Sequence, residues 1–398
     1  MRIAIIGPAH PYKGGGARHT TELARRLADA GHDVIIESWR AQYPARLYPG
    51  RQTVDVPDAE PYPRTRRRLA WYRPDGWLAE GRRLRSADLV IFALLTPLQV
   101  PPYLAILAAL GRPGQAPRTA VICHNVLPHE RRPGDIALTR ALLRQAGPVI
   151  THSAAQAAEA RNLVPGATVR TVPMPPHLPS AGQHNQGTER LGYPAPAAIR
   201  LPRQATPQER PGTASLPTQP NPQDPASPTR LLFFGIVRPY KGLDVLLHAL
   251  AAAPAHVSLT VAGEFWGGTA ATEKLIADLG LAGRVTLCPG YVPADQIPAL
   301  FAAADALVLP YREATASQNA LLAFAHGVPV ITTTAGALAE PVRDGVDGLT
   351  CAPGDPGDLL HALRTISDPR TAQRLRDGIR PVDPEPGWAA YLRVLLER

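Results

Sequence analysis

The sequence is poor in cysteine. Only three cysteines occur in 398 residues, Cys123, Cys288 and Cys351, and they are far apart. They are too few for a disulfide framework and lack the short spacings of a metal site. This pattern excludes a disulfide-stapled scaffold and favours a reducing, cytoplasmic location.

Long apolar runs are also missing. A membrane-spanning helix needs about 20 consecutive apolar residues, whereas the best candidate, residues 103–110, lies between Pro102 and Gly111. The first residues, MRIAIIGPAH, enter a strand pattern directly and lack the apolar region and cleavage site of a secretory signal. We therefore expect no membrane span and no exported precursor.

The composition predicts a folded chain of two domains. Hydrophobic residues make up 45% and charged residues 19% of the chain, and 398 residues exceed what one ordinary core supports. Eleven of the 45 prolines lie between residues 179 and 229, among many polar residues. Such a segment buries too little apolar surface to offset its chain entropy. It is predicted to be a flexible insertion between an N-terminal domain, 1–178, and a C-terminal domain, 230–380.

Short apolar runs alternate with helical patterns in both halves, which is typical of parallel sheets with crossover helices. The fold class is therefore predicted as α/β, with two doubly wound, Rossmann-like domains. The predicted strands are residues 3–6, 34–37, 89–93, 120–124 and 149–151, then 231–234, 258–262, 285–287, 306–309 and 330–332. In the final segment, 381–398, we expect a helix with Trp388, Leu392 and Leu396 on one face, which could pack back on the first domain.

Positive charge is concentrated in the first domain. Residues 1–178 hold 24 lysines and arginines against 13 acids, so the remaining chain has a net charge of −2. Aromatic residues are interleaved with the arginines, which suits contact with an anionic membrane or a solvated face. Nucleic acid is disfavoured because no groove-reading motif accompanies the charge. The arginines are Arg64, Arg66, Arg67, Arg68, Arg73, Arg82, Arg83 and Arg85.

Two loops have the composition of phosphate-binding sites. Gly14, Gly15 and Gly16 follow the first strand and precede a helix, whose first amides can bind a phosphate. The spacing is not GxGxxG, which disfavours a nicotinamide enzyme, and a simple tight turn is the alternative. At the equivalent place in the second half, Arg238 and Lys241 follow a buried strand and could clamp a diphosphate.

Further motifs complete a family pattern. Pro310-Tyr311, the run AFAHGVPV at residues 323–330 and Glu340 follow the two loops in order. Together they resemble the GT-B glycosyltransferases of the retaining family 4 type, also called group 1. The match covers about 350 residues, leaving out the proline-rich segment.

The resemblance implies an active site between the two domains. The first domain would hold the acceptor and the second a nucleotide-sugar, with no cofactor and no metal required. His124 would lie beside the reacting sugar, while His10 and His129 would line the acceptor side. The catalytic set implied is Arg238, Lys241, His124 and Glu313, and the donor-binding set is Gly14, Gly15, Gly16, Gly290, Tyr291, Val292, Ser317, Gln318 and Asn319.

The sequence departs from this family at two acidic positions. The glutamates common in the family fall here at Ala314 and Leu322, and Leu322 cannot accept a hydrogen bond from a ribose hydroxyl. Glu313 is one residue from the first position, and Asn319 is another candidate for nucleotide recognition. The activity implied is retaining transfer of a sugar to a carbohydrate or lipid-linked acceptor, in the cytoplasm or peripherally at the inner membrane face. A GT-B protein that binds without catalysis and a sugar-nucleotide epimerase are the alternatives.

Overall fold

The structure is a computed structural model, and it describes residues 1–44, 52–54, 60–112, 114–128, 130–177, 228–315 and 317–397. The predicted linker at 179–229 therefore lies outside the described residues, apart from its last two positions. Thr229, at its end, already begins a strand. Among the residues described, no helix has both the length and the hydropathy that crossing a membrane requires.

In the described part of the first half of the chain, seven parallel strands form one sheet. Their order is β3-β2-β1-β4-β5-β6-β7, so the chain starts near the middle and winds outwards in both directions. The strands are β1 (Arg2–Ile6), β2 (Asp33–Ala41), β3 (Thr65–Ala70), β4 (Leu89–Leu94), β5 (Arg118–Cys123), β6 (Val149–Thr151) and β7 (Val169–Thr171). The helices are α1 (Gly15–Asp29), α2 (Pro74–Arg83), α3 (Val100–Leu110), α4 (Asp135–Gln145) and α5 (Ala154–Leu163).

Six parallel strands form the second sheet, in the order β10-β9-β8-β11-β12-β13. These strands are β8 (Thr229–Phe234), β9 (Val257–Gly263), β10 (Val285–Pro289), β11 (Ala306–Leu309), β12 (Val330–Thr333) and β13 (Gly348–Cys351). The helices are α6 (Leu243–Ala252), α7 (Ala270–Asp278), α8 (Ile297–Ala302), α9 (Asn319–Ala325), α10 (Pro356–Ile366), α11 (Pro369–Asp377) and α12 (Glu385–Leu396). The predicted α/β class with two doubly wound sheets is confirmed.

The ten predicted strands are all present, and most of their apolar runs are buried because the parallel sheets are covered on both faces. In β4, for example, all six residues are buried. The edge strand β10 is the exception, with partly buried residues. Sequence patterning missed β3, β7 and β13. The sequence of β3, TRRRLA, looks like a basic surface segment, but charged residues are common on edge strands and β3 is at the edge of its sheet. The other two strands have only three and four residues.

The last helix, α12, packs against the first domain. Trp388, Tyr391 and Leu395 are at most 2% exposed and join the apolar cluster that covers one face of the first sheet. Leu392 and Leu396, which were predicted to share the buried face with Trp388, are only partly buried. With 3.6 residues per turn, positions 388, 391 and 395 stay closer to one helix face than 388, 392 and 396.

Candidate active site between the two sheets

The carboxyl ends of the strands in the two sheets face each other across a cleft. Lys13, after β1, is ion-paired with Glu264, after β9. Asn125, after β5, accepts a hydrogen bond of 2.6 Å from the hydroxyl of Thr315, after β11. Ligands of open α/β sheets bind beyond the carboxyl ends of the strands. The chain therefore places two such binding edges against each other.

The glycine loop ends at the start of α1, on the first-domain side of the cleft. Gly14 has a φ of +93°, and Gly15 and Gly16 are the first two residues of the helix. A Cβ atom on Gly16 would lie 2.1 Å from the Cδ2 atom of Leu95, whereas one on Gly15 would meet nothing within 4 Å. A side chain at position 16 would therefore have to displace Leu95. The amides of this first helical turn are suited to an anion.

The two predicted cations follow β8 on the opposite side. Arg238 precedes a single 3₁₀ turn, Pro239–Lys241, and its guanidinium lies 4.5 Å from the ring centroid of Trp266. Lys241 Nζ lies 4.8 Å from the ring centroid of Tyr311. Burial lowers the pKa of Lys241, but the neighbouring tyrosines outweigh it, so this pKa is raised above its ordinary value. Lys241 is therefore a cation at neutral pH.

The loop before α9 converges on the same point. The side-chain amide of Asn319 donates to the carbonyl oxygen of Phe234, at the end of β8, over 2.9 Å. A Cβ atom on the next residue, Gly235, would lie 3.4 Å from Asn319 Nδ2 and 3.6 Å from Lys241 Nζ. Glycine at this place lets the backbone approach both groups. Ser317 accepts a bond of 3.3 Å from the amide of Asn319, and Gln318 accepts one of 3.3 Å from the amide of His177 in the first domain.

The segment predicted to lie along the nucleotide base follows β10. Gly290 has a φ of +126°, and its amide donates to the carbonyl oxygen of Gly263 over 2.9 Å. The ring centroid of Tyr291 lies 5.1 Å from Lys13 Nζ. The side chain of Val292 is 6% exposed and packs in the apolar core of the second domain, so it faces away from the cleft.

The two positions where the family carries acids differ in their surroundings. Leu322 is 7% exposed and packs in an apolar cluster around α8 and α9. Glu313 is exposed and, with Ala314, lines an open cavity of about 320 Å³ to which both domains contribute residues. The first domain supplies the ion pair of Arg131 and Glu159 to this cavity. Its other lining residues are Leu127, Pro128, Ser153, Ala155, Gln156, Thr315 and Gly336.

The predicted histidines take different positions. His124 follows β5, its Nε2 atom has no hydrogen-bond partner among the residues described, and burial and neighbouring histidines hold its pKa well below the ordinary value. His10 follows β1, where burial, Arg18 and Arg25 lower its pKa to about 4. Both side chains are therefore neutral at pH 7. His129 lies outside the described residues.

Sequence reasoning missed a cluster of rings beside His124. The imidazole of His19 lies 5.1 Å from that of His124, and its Nδ1 atom is 2.9 Å from His177 Nε2. Its Nε2 atom is 3.0 Å from the hydroxyl of Tyr391, on α12. His152, after β6, completes the group at 5.6 Å from His124. In the sequence, the only indication of this cluster is that His19 falls on the apolar face of α1.

The cross-cleft pairs were missed as well. Lys13 stands directly before the three glycines, and Glu264 directly follows the last residue of β9. Glu130 is ion-paired with Arg238 from the other domain. A charged residue at the carboxyl end of a parallel strand can indicate a ligand-binding site in the sequence. Glu264 is such a residue, because it directly follows β9.

Two family models match the chain. One, described as Glycosyltransferase Family 4, covers residues 13–175, and the other, Glycosyl transferases group 1, covers residues 228–368. The chain belongs to the group 1, family 4 glycosyltransferases. The second matched region contains all six strands of the second sheet, and the first contains every strand of the first sheet except β1. Both loops predicted to bind phosphate lie within the matched regions.

Curated relatives of this family 4 chain include D-inositol 3-phosphate glycosyltransferases. The protein from Mycobacterium sp. (strain KMS) is 33% identical over 141 residues, which is 35% of this chain and 32% of the relative. The protein from Frankia alni is 36% identical over 178 residues, 42% of this chain and 44% of the relative. The aligned part thus spans less than half the length of these relatives.

Solved structures show the same GT-B fold over the whole chain. Sucrose-phosphate synthase from Thermosynechococcus elongatus superimposes with a TM-score of 0.70 at 18% identity, covering 99% of this chain and 98% of that one. HepE from Anabaena, in complex with UDP and glucose, has a TM-score of 0.66 at 17% identity, covering 99% of both chains. The predicted GT-B architecture of this family 4 glycosyltransferase is confirmed.

Proposed function

We propose that this chain is a retaining glycosyltransferase that transfers a sugar from a nucleoside-diphosphate sugar to a carbohydrate or lipid-linked acceptor. The observation that carries the proposal is the convergence of Lys241, Asn319 and Gly235 at the end of β8. Arg238 extends this cationic site towards the first domain, where the glycine loop begins α1. Two cations and a set of backbone amides are the groups that a diphosphate requires.

The mechanism follows from where negative charge grows. As the bond from the sugar to the diphosphate breaks, the leaving oxygen gains charge, which Arg238, Lys241 and the first amides of α1 stabilise. Groups that are fixed before the reaction are effective because they do not reorganise as the charge develops. The diphosphate can accept the proton of the acceptor hydroxyl on the same face of the sugar. This route uses neither a metal ion nor a protein nucleophile.

His124 is suited to bind the transferred sugar. Its low pKa keeps the imidazole neutral, so one ring nitrogen donates and the other accepts. The Nε2 atom is buried and has no partner among the residues described. A buried polar atom without a partner costs free energy that a substrate hydroxyl would recover. We therefore assign His124 to sugar positioning.

The cavity at Glu313 is the proposed acceptor site. Ser153, Gln156 and Thr315 line it with groups that donate or accept hydrogen bonds, and Glu313 borders it from the donor side. Such a lining suits a polyhydroxylated acceptor. Because curated relatives are named D-inositol 3-phosphate glycosyltransferases, a phosphorylated polyol is one acceptor that we would test.

Peripheral contact with an anionic membrane is proposed for the surface around β3 and α2. Trp71, Tyr72 and Leu78 are 43%, 49% and 39% exposed there. Five of the eight arginines of this basic region form ion pairs, but with only four carboxylates, so the surface keeps a net positive charge. Arg64 pairs with Asp33, Arg66 with Glu37, Arg73 with Asp75, and both Arg68 and Arg83 with Glu80. Exposed aromatic and basic residues together favour an interface. Binding to vesicles of anionic lipid but not of neutral lipid supports this contact, and equal binding to both contradicts it.

A nucleotide-sugar screen tests the proposed activity. UDP-, GDP- and ADP-sugars are added in a thermal-shift assay, followed by transfer assays on each donor that stabilises the protein; UDP-glucose comes first because HepE was solved with UDP and glucose. Lys241→Ala should abolish the shift. Lys274→Ala, on the exposed face of α7, is the matched control and should retain it.

The outcomes separate the alternatives. A donor that binds and is consumed, with the sugar found on an acceptor, supports the transferase. Binding without turnover favours a GT-B binding protein, and release of an altered nucleotide-sugar favours an epimerase. No shift with any donor overturns the proposed function.

A further inference from the structure

Ribose recognition is the step that the family pattern leaves without a residue in this chain. The position at which the family carries its ribose-binding acid is Leu322, which is buried in an apolar cluster. A leucine side chain can neither donate nor accept a hydrogen bond. A nucleotide bound here must place its ribose hydroxyls against another group.

Glu264 lies at the carboxyl end of β9, on the second-domain side of the cleft. It follows the last residue of β9, and β9 lies between β8 and β10. Its carbonyl oxygen accepts from the amide of Val237, next to Arg238, over 2.8 Å. The preceding residue, Gly263, accepts from the amide of Gly290 over 2.9 Å. The end of β9 is thus hydrogen-bonded to the loop of the diphosphate cations through Glu264 and to the segment predicted for the base through Gly263.

The spacing of the sheet supports this position. Adjacent strands lie about 4.8 Å apart, so the end of β9 is one strand spacing from the cation loop and one from the base segment. In a nucleoside diphosphate the ribose joins the diphosphate to the base. A ligand that spans the ends of β8 and β10 therefore carries its ribose past the end of β9.

Lys13 holds the Glu264 carboxylate from the opposite domain. The two side chains form an ion pair, and they are only 10% and 20% exposed. Lys13 Nζ also lies 5.1 Å from the ring centroid of Tyr291, so it contacts the base segment. A carboxylate has about four acceptor positions, and Lys13 uses one in this pair. The ammonium group fixes the orientation of the carboxylate and leaves acceptor positions for a ligand.

We propose that Glu264 binds the 2′- and 3′-hydroxyls of the donor ribose and that Lys13, across the cleft, is its positioning residue. A vicinal diol can donate two hydrogen bonds to one carboxylate, and bonds to a charged acceptor are among the strongest in proteins. This assignment rests on the proposed function, since it requires a nucleoside diphosphate in the cleft. It also makes nucleotide recognition depend on both domains.

The test compares a nucleoside diphosphate with its 2′,3′-dideoxy analogue by calorimetry. The nucleoside diphosphate used is whichever of UDP, GDP and ADP binds the full-length wild-type protein. The wild type should bind the ribonucleotide about 10- to 100-fold more tightly than the analogue, as expected for hydrogen bonds to a charged group. Glu264→Gln and Glu264→Ala should reduce this preference to less than about 3-fold. Glu273→Gln, on exposed α7, is the matched control and should keep it.

The Lys13→Met variant distinguishes a role of Lys13 in positioning Glu264 from direct attraction between Lys13 and the phosphates. If Lys13 orients Glu264, the variant loses preference for the ribonucleotide, whereas loss of a phosphate contact weakens the ribonucleotide and the analogue equally. Lys274→Met is its control. Equal weakening of both ligands overturns the positioning role of Lys13.

Three results decide the ribose assignment. Loss of preference in the Glu264 variants, with a melting temperature close to that of the wild type, supports it. An unchanged preference in both variants shows that another group binds the ribose and overturns it, while leaving the proposed function intact. If none of the three ribonucleotides binds the wild type, the proposed function fails and the ribose assignment fails with it.

Discussion

The guanidinium of Arg238 is held between the carboxylate of Glu130, from the other domain, and the ring of Trp266, 4.5 Å away. The group that we assign to the donor diphosphate is therefore already paired with an anion across the cleft. A diphosphate entering the site would replace one negative partner of Arg238 by another. Glu130 acts in this arrangement as a competitor of the donor.

Replacing Glu130 by glutamine should strengthen nucleotide binding. The side chain of Glu130 is 51% exposed, so the ion pair is screened by solvent and its loss should raise affinity for a nucleoside diphosphate by about two- to fivefold. Calorimetry on the wild type and the variant measures this change. Glu273→Gln should leave the affinity unchanged, and a weaker affinity in Glu130→Gln would show that the carboxylate assists the donor.

The glycine loop offers a matched pair of substitutions. Gly16→Ala should lower the melting temperature because its Cβ atom would overlap Leu95, and overpacking of this kind typically costs about 1 to 3 kcal/mol of unfolding free energy. Gly15→Ala should have little effect on stability because nothing lies within 4 Å of its Cβ position and its φ is not in the left-handed region. Thermal unfolding compares the two. Equal melting temperatures would show that Leu95 relaxes without cost.

The free energy of unfolding should fall as the pH decreases below about 6.5. Burial lowers the pKa of His10 and His152 to about 4 and that of His177 to about 3. The unfolded chain, with ordinary histidine pKa values of about 6.5, therefore binds protons first, and acid favours unfolding. Each histidine contributes up to about 1.4 kcal/mol per pH unit between its unfolded and folded pKa.

The carboxylate of Glu37 has the opposite effect on how the free energy of unfolding changes with pH. Burial and the neighbouring Glu80 raise the pKa of Glu37 to about 7, so the folded state holds this proton between about pH 7 and pH 4.5 and gains stability there as the pH falls. Three histidines outweigh one glutamate below pH 6. Urea unfolding from pH 8 to pH 4.5 measures the net slope, and His152→Gln should make it shallower. A free energy of unfolding that does not change over this pH range would contradict the neutral state of the buried histidines.

Truncating a buried side chain of α12 should destabilise the first domain. Leu395 is 2% exposed and packs in the cluster that covers the first sheet. Leu395→Ala leaves a cavity there and should cost about 2 to 5 kcal/mol of unfolding free energy. Denaturant unfolding of the full chain measures this cost, and Val394→Ala, at a partly buried position, is the control with a smaller effect. A negligible cost would show that α12 detaches easily.

Much of the fold could be read from local patterns. The apolar runs of β1, β4 and β8 predict strands because burial on both faces of a parallel sheet requires continuous hydrophobicity. The glycines before α1 and the cations after β8 also stood out, since chain conformation and charge at a strand end are local properties. The edge strand β3 did not, because its arginines conceal the strand pattern.

The sequence by itself therefore determined the two α/β halves, the glycine loop before α1, the cationic loop after β8 and the absence of an acid at position 322. Only the tertiary structure decided which side chains meet. Lys13 and Glu264 are 251 residues apart in the chain, and the rings around His19 come from four other segments. Such contacts depend on how two sheet edges and a returning helix are placed against one another. That placement is set by packing over the whole molecule, and no short stretch of sequence records it.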